Sequence, residues 1–394
     1  MTLFFPTQEQ ASALTKQFGS PLFVYDEKTI LDAVKEASFG MTLRYAMKAN
    51  PNRHLLQLLH AQGVQIDASS GYEAWRAMKV GIPGGEILLT AQELPEDLAD
   101  LVANGVLFNA CSLHQLEVYG RLAERPAEVS VRLNPGEGSG FHKGVNVGGA
   151  ESSFGIWHED IPHIHALAER YGLKISRLHT HIGSGSDPEA WARVAEVSLG
   201  LLEHFPEAKT LNLGGGFKIA RVEGEKAFSF KDFGPHVQNL LQSFGRPVHL
   251  EIEPGTFLIG RAGVLLAKVQ DITETSQRRF IKLNVGMTEI LRPALYGARH
   301  PFEVYPRRNE ADAVQLVGHC CESTDVLNTE PLLLPRMELG DLLAVGGAGA
   351  YCSSMGAAHY NSFPRCAEVL IRLDGRFELI RRRETLDEVM GLEA

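Results

Sequence analysis

Lys48 is the first residue in this chain whose type and position suggest chemistry. It lies in Tyr45-Ala46-Met47-Lys48-Ala49-Asn50-Pro51-Asn52, where an Asn-Pro pair closes the apolar run 41–47 with a turn. A lysine desolvated at the mouth of a buried strand has a lowered pKa and acts as a Schiff-base nucleophile. The ordinary alternative is a surface lysine snorkelling at a strand end. Farther on, Asn212-Leu213-Gly214-Gly215-Gly216-Phe217 follows another short apolar run. Gly214, Gly215 and Gly216 let backbone N–H groups close on an anion, which suits a phosphate, though such turns are more often simply tight loops.

Two further strand-end motifs carry functional groups. His179-Thr180-His181-Ile182-Gly183-Ser184-Gly185 offers a flat imidazole, His181, and a hydroxyl, Ser184, able to donate to a phosphate. Glu251-Ile252-Glu253-Pro254-Gly255 offers a carboxylate, Glu253, that could keep a pyridine nitrogen protonated and turn the ring into an electron sink. Near the other end of the chain, Gly318-His319-Cys320-Cys321-Glu322-Ser323-Thr324-Asp325 gathers a thiol and two carboxylates, an environment in which a thiol can carry protons. Most lone cysteines are inert packing. Arg292-Pro293-Ala294-Leu295-Tyr296 sets a cation near a phenol, which suits a carboxylate. Gly347-Ala348-Gly349-Ala350-Tyr351 puts a phenol after a glycine-rich turn.

The elements that must position these groups follow a regular rhythm. Short β-prone runs at 42–46, 65–68, 86–89, 106–109, 130–133, 177–181, 210–213 and 249–253 alternate with stretches of helical spacing at 53–61, 72–80, 96–103, 113–123, 161–170 and 191–204. Eight such units predict an α/β fold, a parallel (β/α)8 barrel over 28–270, in preference to a doubly wound sheet. Lys48, Asp67, Arg132, His181, Gly214 and Glu253 then all fall at the C-terminal ends of strands, where barrel enzymes keep their chemistry. From about 271 the runs shorten and long helical stretches become scarce. Residues 271–394 therefore read as a second, β-rich domain, a β-sandwich or barrel, joined by the apolar run Pro21-Leu22-Phe23-Val24-Tyr25 of segment 1–27. A dinucleotide-binding Gly-x-Gly-x-x-Gly fingerprint and a Walker loop are both missing from the sequence.

Composition narrows the class. The chain has 394 residues, 44% hydrophobic and 22% charged, with a net charge of −10, which argues against a general nucleic-acid binder. Five cysteines in no metal-binding spacing fit reduced thiols of the cytoplasm, and no metal site is expected. The sequence shows neither a signal-peptide pattern nor an apolar run long enough to span a membrane.

Taken in order, the motifs YAMKANPN, RLNPG, SSFGIW, HIGSG, LGGGF, EPG, RPALY, CESTD and GAYCSSM resemble the alanine-racemase-like barrel enzymes that use pyridoxal phosphate. Within that class they are most similar to the diaminopimelate decarboxylases, over nearly the whole chain. The resemblance implies that Lys48 binds the cofactor covalently, with Asp67 and Glu73 setting its surroundings and Arg132 facing the cofactor. It implies that His181 stacks on the ring and Glu253 holds the ring nitrogen. Ser184, Gly214, Gly215, Gly216, Gly255, Thr256 and Tyr351 would complete the cofactor site. Arg292, Tyr296 and Glu322, with Tyr351, would grip the far end of an amino-acid substrate. Cys321 would protonate the product from a second subunit of a homodimer. Decarboxylation of meso-2,6-diaminopimelate to L-lysine is the implied activity.

The chain departs from the family pattern in places. Thr256 stands where an arginine usually follows Glu-Pro-Gly, Asn284 where an Asp is common, Thr324 where a Gly is usual, and Phe363 where an Arg is usual. The loss of a cation at Thr256 keeps open a decarboxylase of lysine, ornithine, a D-amino acid or carboxynorspermidine. A racemase would need a tyrosine base opposite Lys48, and the Cys321-Glu322 pair argues against it. A non-catalytic homologue would have lost cofactor residues, and Lys48, His181, Glu253 and Cys321 are all here.

Overall fold

The computed structural model describes residues 2–136, 139–140, 149–181 and 183–393, so Ile182 of the His179 motif lies outside the described residues. The chain divides into two compact units, one of residues 33–219 and 226–258, the other of residues up to 32, 220–225 and from 259 onward.

The first unit is a closed parallel barrel. Its strands are Thr42–Ala46, Gln65–Ala68, Ile87–Leu89, Leu107–Ala110, Glu128–Asn134, Lys174–Thr180, Thr210–Asn212 and His249–Ile252. Each pairs with the next, and Glu251 and Ile252 of the last pair with Thr42 and Leu43 of the first. All eight expected strands are present, within a few residues of the expected bounds. Short polar caps start several of the returning helices. The side chains of Asn52, Ser70, Ser112 and Ser229 accept from backbone N–H groups of the first turns of Arg53–His60, Gly71–Lys79, Leu113–Arg121 and Phe230–Ser243. The last of these helices was not expected, because Gly234 and Pro235 interrupt its pattern in the sequence.

The barrel interior is polar where apolar branched side chains usually fill such barrels. Glu251 accepts from Arg44 on the first strand, at 2.9 and 3.0 Å. It also accepts from Arg177 on the sixth, at 3.0 and 3.3 Å. Burial alone would raise the Glu251 carboxyl, and the two guanidiniums outweigh that and lower it. Removing one partner from such a set leaves an uncompensated buried charge. Arg44→Ala is therefore expected to cost about 3 kcal/mol of stability, reduced from the full penalty because Arg177 stays. Urea unfolding measures it, and a loss below about 1 kcal/mol would show that the seam tolerates the gap.

The second unit is a mixed sheet. The strand Leu22–Asp26 lies antiparallel to Gly263–Glu274 and parallel to Ala367–Ile371, so the N-terminal segment is built into the C-terminal half. Arg279–Leu283, Ala311–Val317, Leu332–Pro335 and Phe377–Arg381 extend the sheet, while Phe302–Tyr305 and Leu342–Val345 branch from it. Leu14, Leu22, Val24, Val264, Leu266 and Val369 form its buried core. Leu14 belongs to a helix, Gln8–Phe18, that the sequence reading passed over although Thr7 and Gln10 form a capping box at its start. The join expected at 270 falls inside the strand Gly263–Glu274, whose partners all belong to this sheet, and the unit accordingly begins at 259. Among the described residues, no helix is long and apolar enough to cross a membrane.

Candidate active site

Lys48 does not sit in a strand. Strand Thr42–Ala46 ends in the tight turn Met47–Ala49, fixed by Tyr45 Oη donating to Asn50 O at 3.1 Å and by Asn52 N donating to Asn50 Oδ1 at 3.1 Å. That turn carries Lys48 past the strand end between buried Met47 and Ala49. The side chain is exposed, which corrects the expectation of a desolvated lysine, and its Nζ donates to Ser69 Oγ at 3.1 Å. Ser69 N in turn donates to Glu73 Oε2 at 2.7 Å. Burial falls on the acids instead. Asp67, 2% exposed, is pushed up to about 8 by desolvation and then by the negative charge of Glu253. Glu73 is raised by burial as well.

Glu253 is the best-held carboxylate in the barrel. It accepts from Asn212 Nδ2 at 2.8 Å and from His179 Nε2 at 3.2 Å. Burial opposes its ionisation, but its neighbours, His179 first among them, together outweigh this and lower its pKa. Burial keeps His179 itself toward the neutral form, and against the ionised Glu253 its Nε2–H is the donor. His181 is held neutral by burial and by the charge of Arg132. Arg132 is 7% exposed, and its guanidinium lies 4.9 Å from the Phe154 ring centre. The sequence reading assigned no role to His179 or Asn212. The available signal was alternation: His179 shares a strand face with His181's position, as Glu251 does with Glu253's.

The glycine turn is a backbone surface shaped by close approach. A Cβ on Gly214 would lie 2.6 Å from His181 Nδ1, and one on Gly216 would overlap Gly183 O. Gly214 and Gly216 also have φ of +71° and +100°, where other residues are strained. Gly214 N donates to Asn212 Oδ1 at 2.8 Å, and Ser184 Oγ donates to Gly216 O at 3.3 Å. Behind the turn, Phe217 stacks on Trp191 at 4.5 Å within a cluster containing Phe228, Phe230 and Phe233. Gly255 packs on Ala46 and Ala49, with a Cβ there falling 3.2 Å from each, and Thr256 opens the short helix Thr256–Ile259.

The other named residues belong to the mixed-sheet unit. Arg292 and Tyr296 begin and end one short helix, which Gly297 terminates at φ +61°. Arg292 Nε is buried without a partner. Cys321 and Glu322 are exposed on a loop that Asp325 braces, accepting from Met287 N at 2.7 Å and Cys320 N at 2.8 Å. Asn361 Oδ1 holds Cys321 N at 3.0 Å. The adjacent thiols differ: burial and then Asp325 push Cys320 up to about 12, whereas Cys321 stands in solvent. Tyr351 has φ +55° at the end of its glycine-rich turn. Two departures from the family pattern have local reasons. Asn284 accepts from Lys268 N at 2.7 Å and, as an amide, also donates to Ser20 Oγ at 3.1 Å. Phe363 stacks on His319 with centres 3.8 Å apart, so an aromatic ring serves that position. Nothing in the structure explains Thr324.

Known proteins agree with this architecture. The pyridoxal binding domain of the pyridoxal-dependent decarboxylases matches residues 27–260. A diaminopimelate decarboxylase of Streptomyces coelicolor is 36% identical over 404 residues, spanning 97% of this chain and 91% of the relative. That of Escherichia coli K12 is 32% identical over 409 residues, spanning 98% and 97%. Among solved structures, a diaminopimelate decarboxylase superposes with a TM-score of 0.92 at 31% identity, covering 100% of this chain and 99% of the other. The Helicobacter pylori enzyme complexed with L-lysine superposes with a TM-score of 0.88 at 29% identity, covering 97% and 98%.

Proposed function

The chain belongs to the pyridoxal-dependent decarboxylases, and from that premise we propose that it converts meso-2,6-diaminopimelate to L-lysine and carbon dioxide, the last step of lysine biosynthesis. The observation that carries the chemistry is the set of groups at the barrel's strand ends. They are an amine on Lys48, a carboxylate held ionised on Glu253, a neutral imidazole on His181 and a glycine turn shaped for an anion. The substrate assignment rests on full-length similarity to diaminopimelate decarboxylases.

Pyridoxal phosphate fits these residues. In the barrel unit the buried side-chain atoms without a partner are, among the described residues, Asp67 Oδ1, Arg132 Nη2, His179 Nδ1 and His181 Nδ1, all near the same strand ends. Buried polar groups are rarely left so, and a polar planar ligand there accounts for the concentration. Lys48 would hold the cofactor covalently through Nζ, and Glu253 would keep a proton on its ring nitrogen. His181 would lie against the ring, with Arg132 and Asp67 lining it. Ser184, Gly214, Gly215, Gly216, Gly255, Thr256 and Tyr351 would surround its phosphate. When bound, the cofactor supplies an electron sink for the pair released as carbon dioxide leaves.

The substrate's far end would be gripped by Arg292 on its carboxylate and Glu322 on its ammonium, with Tyr296 and Tyr351 beside them. Cys321 Sγ would deliver the proton that replaces the departing carboxylate. Its exposure supports a role for it in the neighbouring subunit of a homodimer. Five free thiols are consistent with work in the cytoplasm.

Thr256 favours one second reading, a decarboxylase whose substrate lacks the far carboxylate. Carbon dioxide release decides between them. The holoenzyme is expected to act on meso-diaminopimelate and to leave L-lysine, L-ornithine and their D forms essentially untouched. A preference for any of those would transfer the assignment to the second reading.

A further inference from the structure

Asn212 is a fully buried amide to which the reading above gives no task. It ends the strand Thr210–Asn212 inside the barrel unit, level with His179 on one neighbouring strand and Glu251 on the other. Both ends of its side chain are in use. Its Oδ1 accepts from Gly214 N at 2.8 Å, which turns its Nδ2 toward Glu253, where it donates to Oε1 at 2.8 Å. A longer contact, 3.4 Å, reaches Glu251 Oε2. An amide suits this position, because an ionised aspartate could keep the first bond but not the second.

The two groups that Asn212 joins are those assigned above to different points of one rigid cofactor, the phosphate cradle and the partner of the ring nitrogen. A rigid ligand needs such contacts at a fixed separation, and a displacement of about 1 Å can cost about 10²-fold in rate. The glycine turn is not stiff by itself, since Gly214 lacks a Cβ and lies at φ +71°. Its backbone is tied to that of Glu253: Glu253 N donates to Gly214 O at 2.8 Å, and a Cβ on Gly215 would lie 2.4 Å from Glu253 O. Those contacts leave the Glu253 side chain free to rotate. Among the described residues, Asn212 is the link from the turn to the carboxylate itself. His179 Nε2 takes Oε2 at 3.2 Å from the adjacent strand, so two donors set the carboxylate plane.

We propose that Asn212 is a positioning residue that holds the glycine turn and the Glu253 carboxylate in register, so that both meet one cofactor at once. The proposal rests on the cofactor placement above. Asn212→Ala should weaken pyridoxal phosphate binding to the apoenzyme about 10-fold, read by absorbance titration, and lower kcat of the cofactor-saturated enzyme about 10-fold. A residue that merely braced the barrel through Glu251 could also cost activity, and the Glu253→Gln background separates the two roles. With no charge left to aim, adding Asn212→Ala there should lower kcat by less than about twofold further. A full 10-fold loss in both backgrounds would reduce Asn212 to a brace, and unchanged affinity and kcat would overturn the proposal outright. If the Ala variant does not fold, Asn212→Asp has the same shape, keeps the Gly214 bond and loses the donor. The same cycle with it should again show a kcat loss that vanishes beside Glu253→Gln. Glu253→Gln alone that keeps wild-type kcat with cofactor bound would instead overturn the placement of Glu253, before Asn212 is changed.

Discussion

Lys48→Ala enzyme supplied with pyridoxal phosphate should release carbon dioxide from meso-diaminopimelate about 10³-fold more slowly than wild type, or worse. The substitution removes the one amine on the turn Met47–Ala49 while touching little that holds the barrel together. The side chain is exposed, and surface changes of this kind usually alter stability by about 0.5 kcal/mol or less. Lost turnover with an unchanged unfolding midpoint is therefore the expected pair of results. Borohydride reduction should fix the cofactor to the wild-type peptide carrying Lys48 and leave the variant unlabelled. Near-normal turnover by the variant would refute the role proposed for this residue.

Glu253→Gln should be the second most damaging change, lowering kcat by about 10²-fold or more, because a neutral amide cannot hold a proton on the ring nitrogen. The surrounding geometry makes this a clean test. Asn212 Nδ2 can still donate to the amide oxygen at the 2.8 Å position. His179 Nδ1 has no partner, so the neutral ring can move its proton there and accept from the amide through Nε2. Folding should thus be nearly unaffected, within about 1 kcal/mol, while catalysis collapses. Unchanged kcat with cofactor bound would remove Glu253 from the mechanism. A large loss of stability would show instead that the carboxylate matters mainly to the barrel.

Much of this architecture was legible in the sequence, for physical reasons. Parallel strands buried on both faces read as short apolar runs, and caps such as Ser70 and Ser112 mark the helices that follow. Strand ends are where a barrel gathers its chemistry, so Lys48, His181 and Glu253 could be picked out together. The signal failed where periodicity was broken or where the decisive contact was distant. Pro235 hid the helix Phe230–Ser243. A mainly polar surface stripe hid Gln8–Phe18. Exposure of Lys48 could not be foreseen, because a strand reading says nothing about a side chain carried beyond the strand by a tight turn.

The ion set inside the barrel has a consequence for anyone who would re-engineer the fold. Glu251 accepts from Arg44 across the seam that closes the barrel and is bridged by Asn212 to Glu253, at 3.4 and 2.8 Å. Seam and proposed reaction centre are thus successive members of one hydrogen-bonded chain. Exchanging Arg44, Arg177 and Glu251 for hydrocarbon is the usual route to a hardier interior, and buried ion sets often tolerate it. Here it would also leave Asn212 with a single carboxylate to orient it. A thermostable redesign of this barrel would then be selected, step by step, toward a protein that outlasts its own activity.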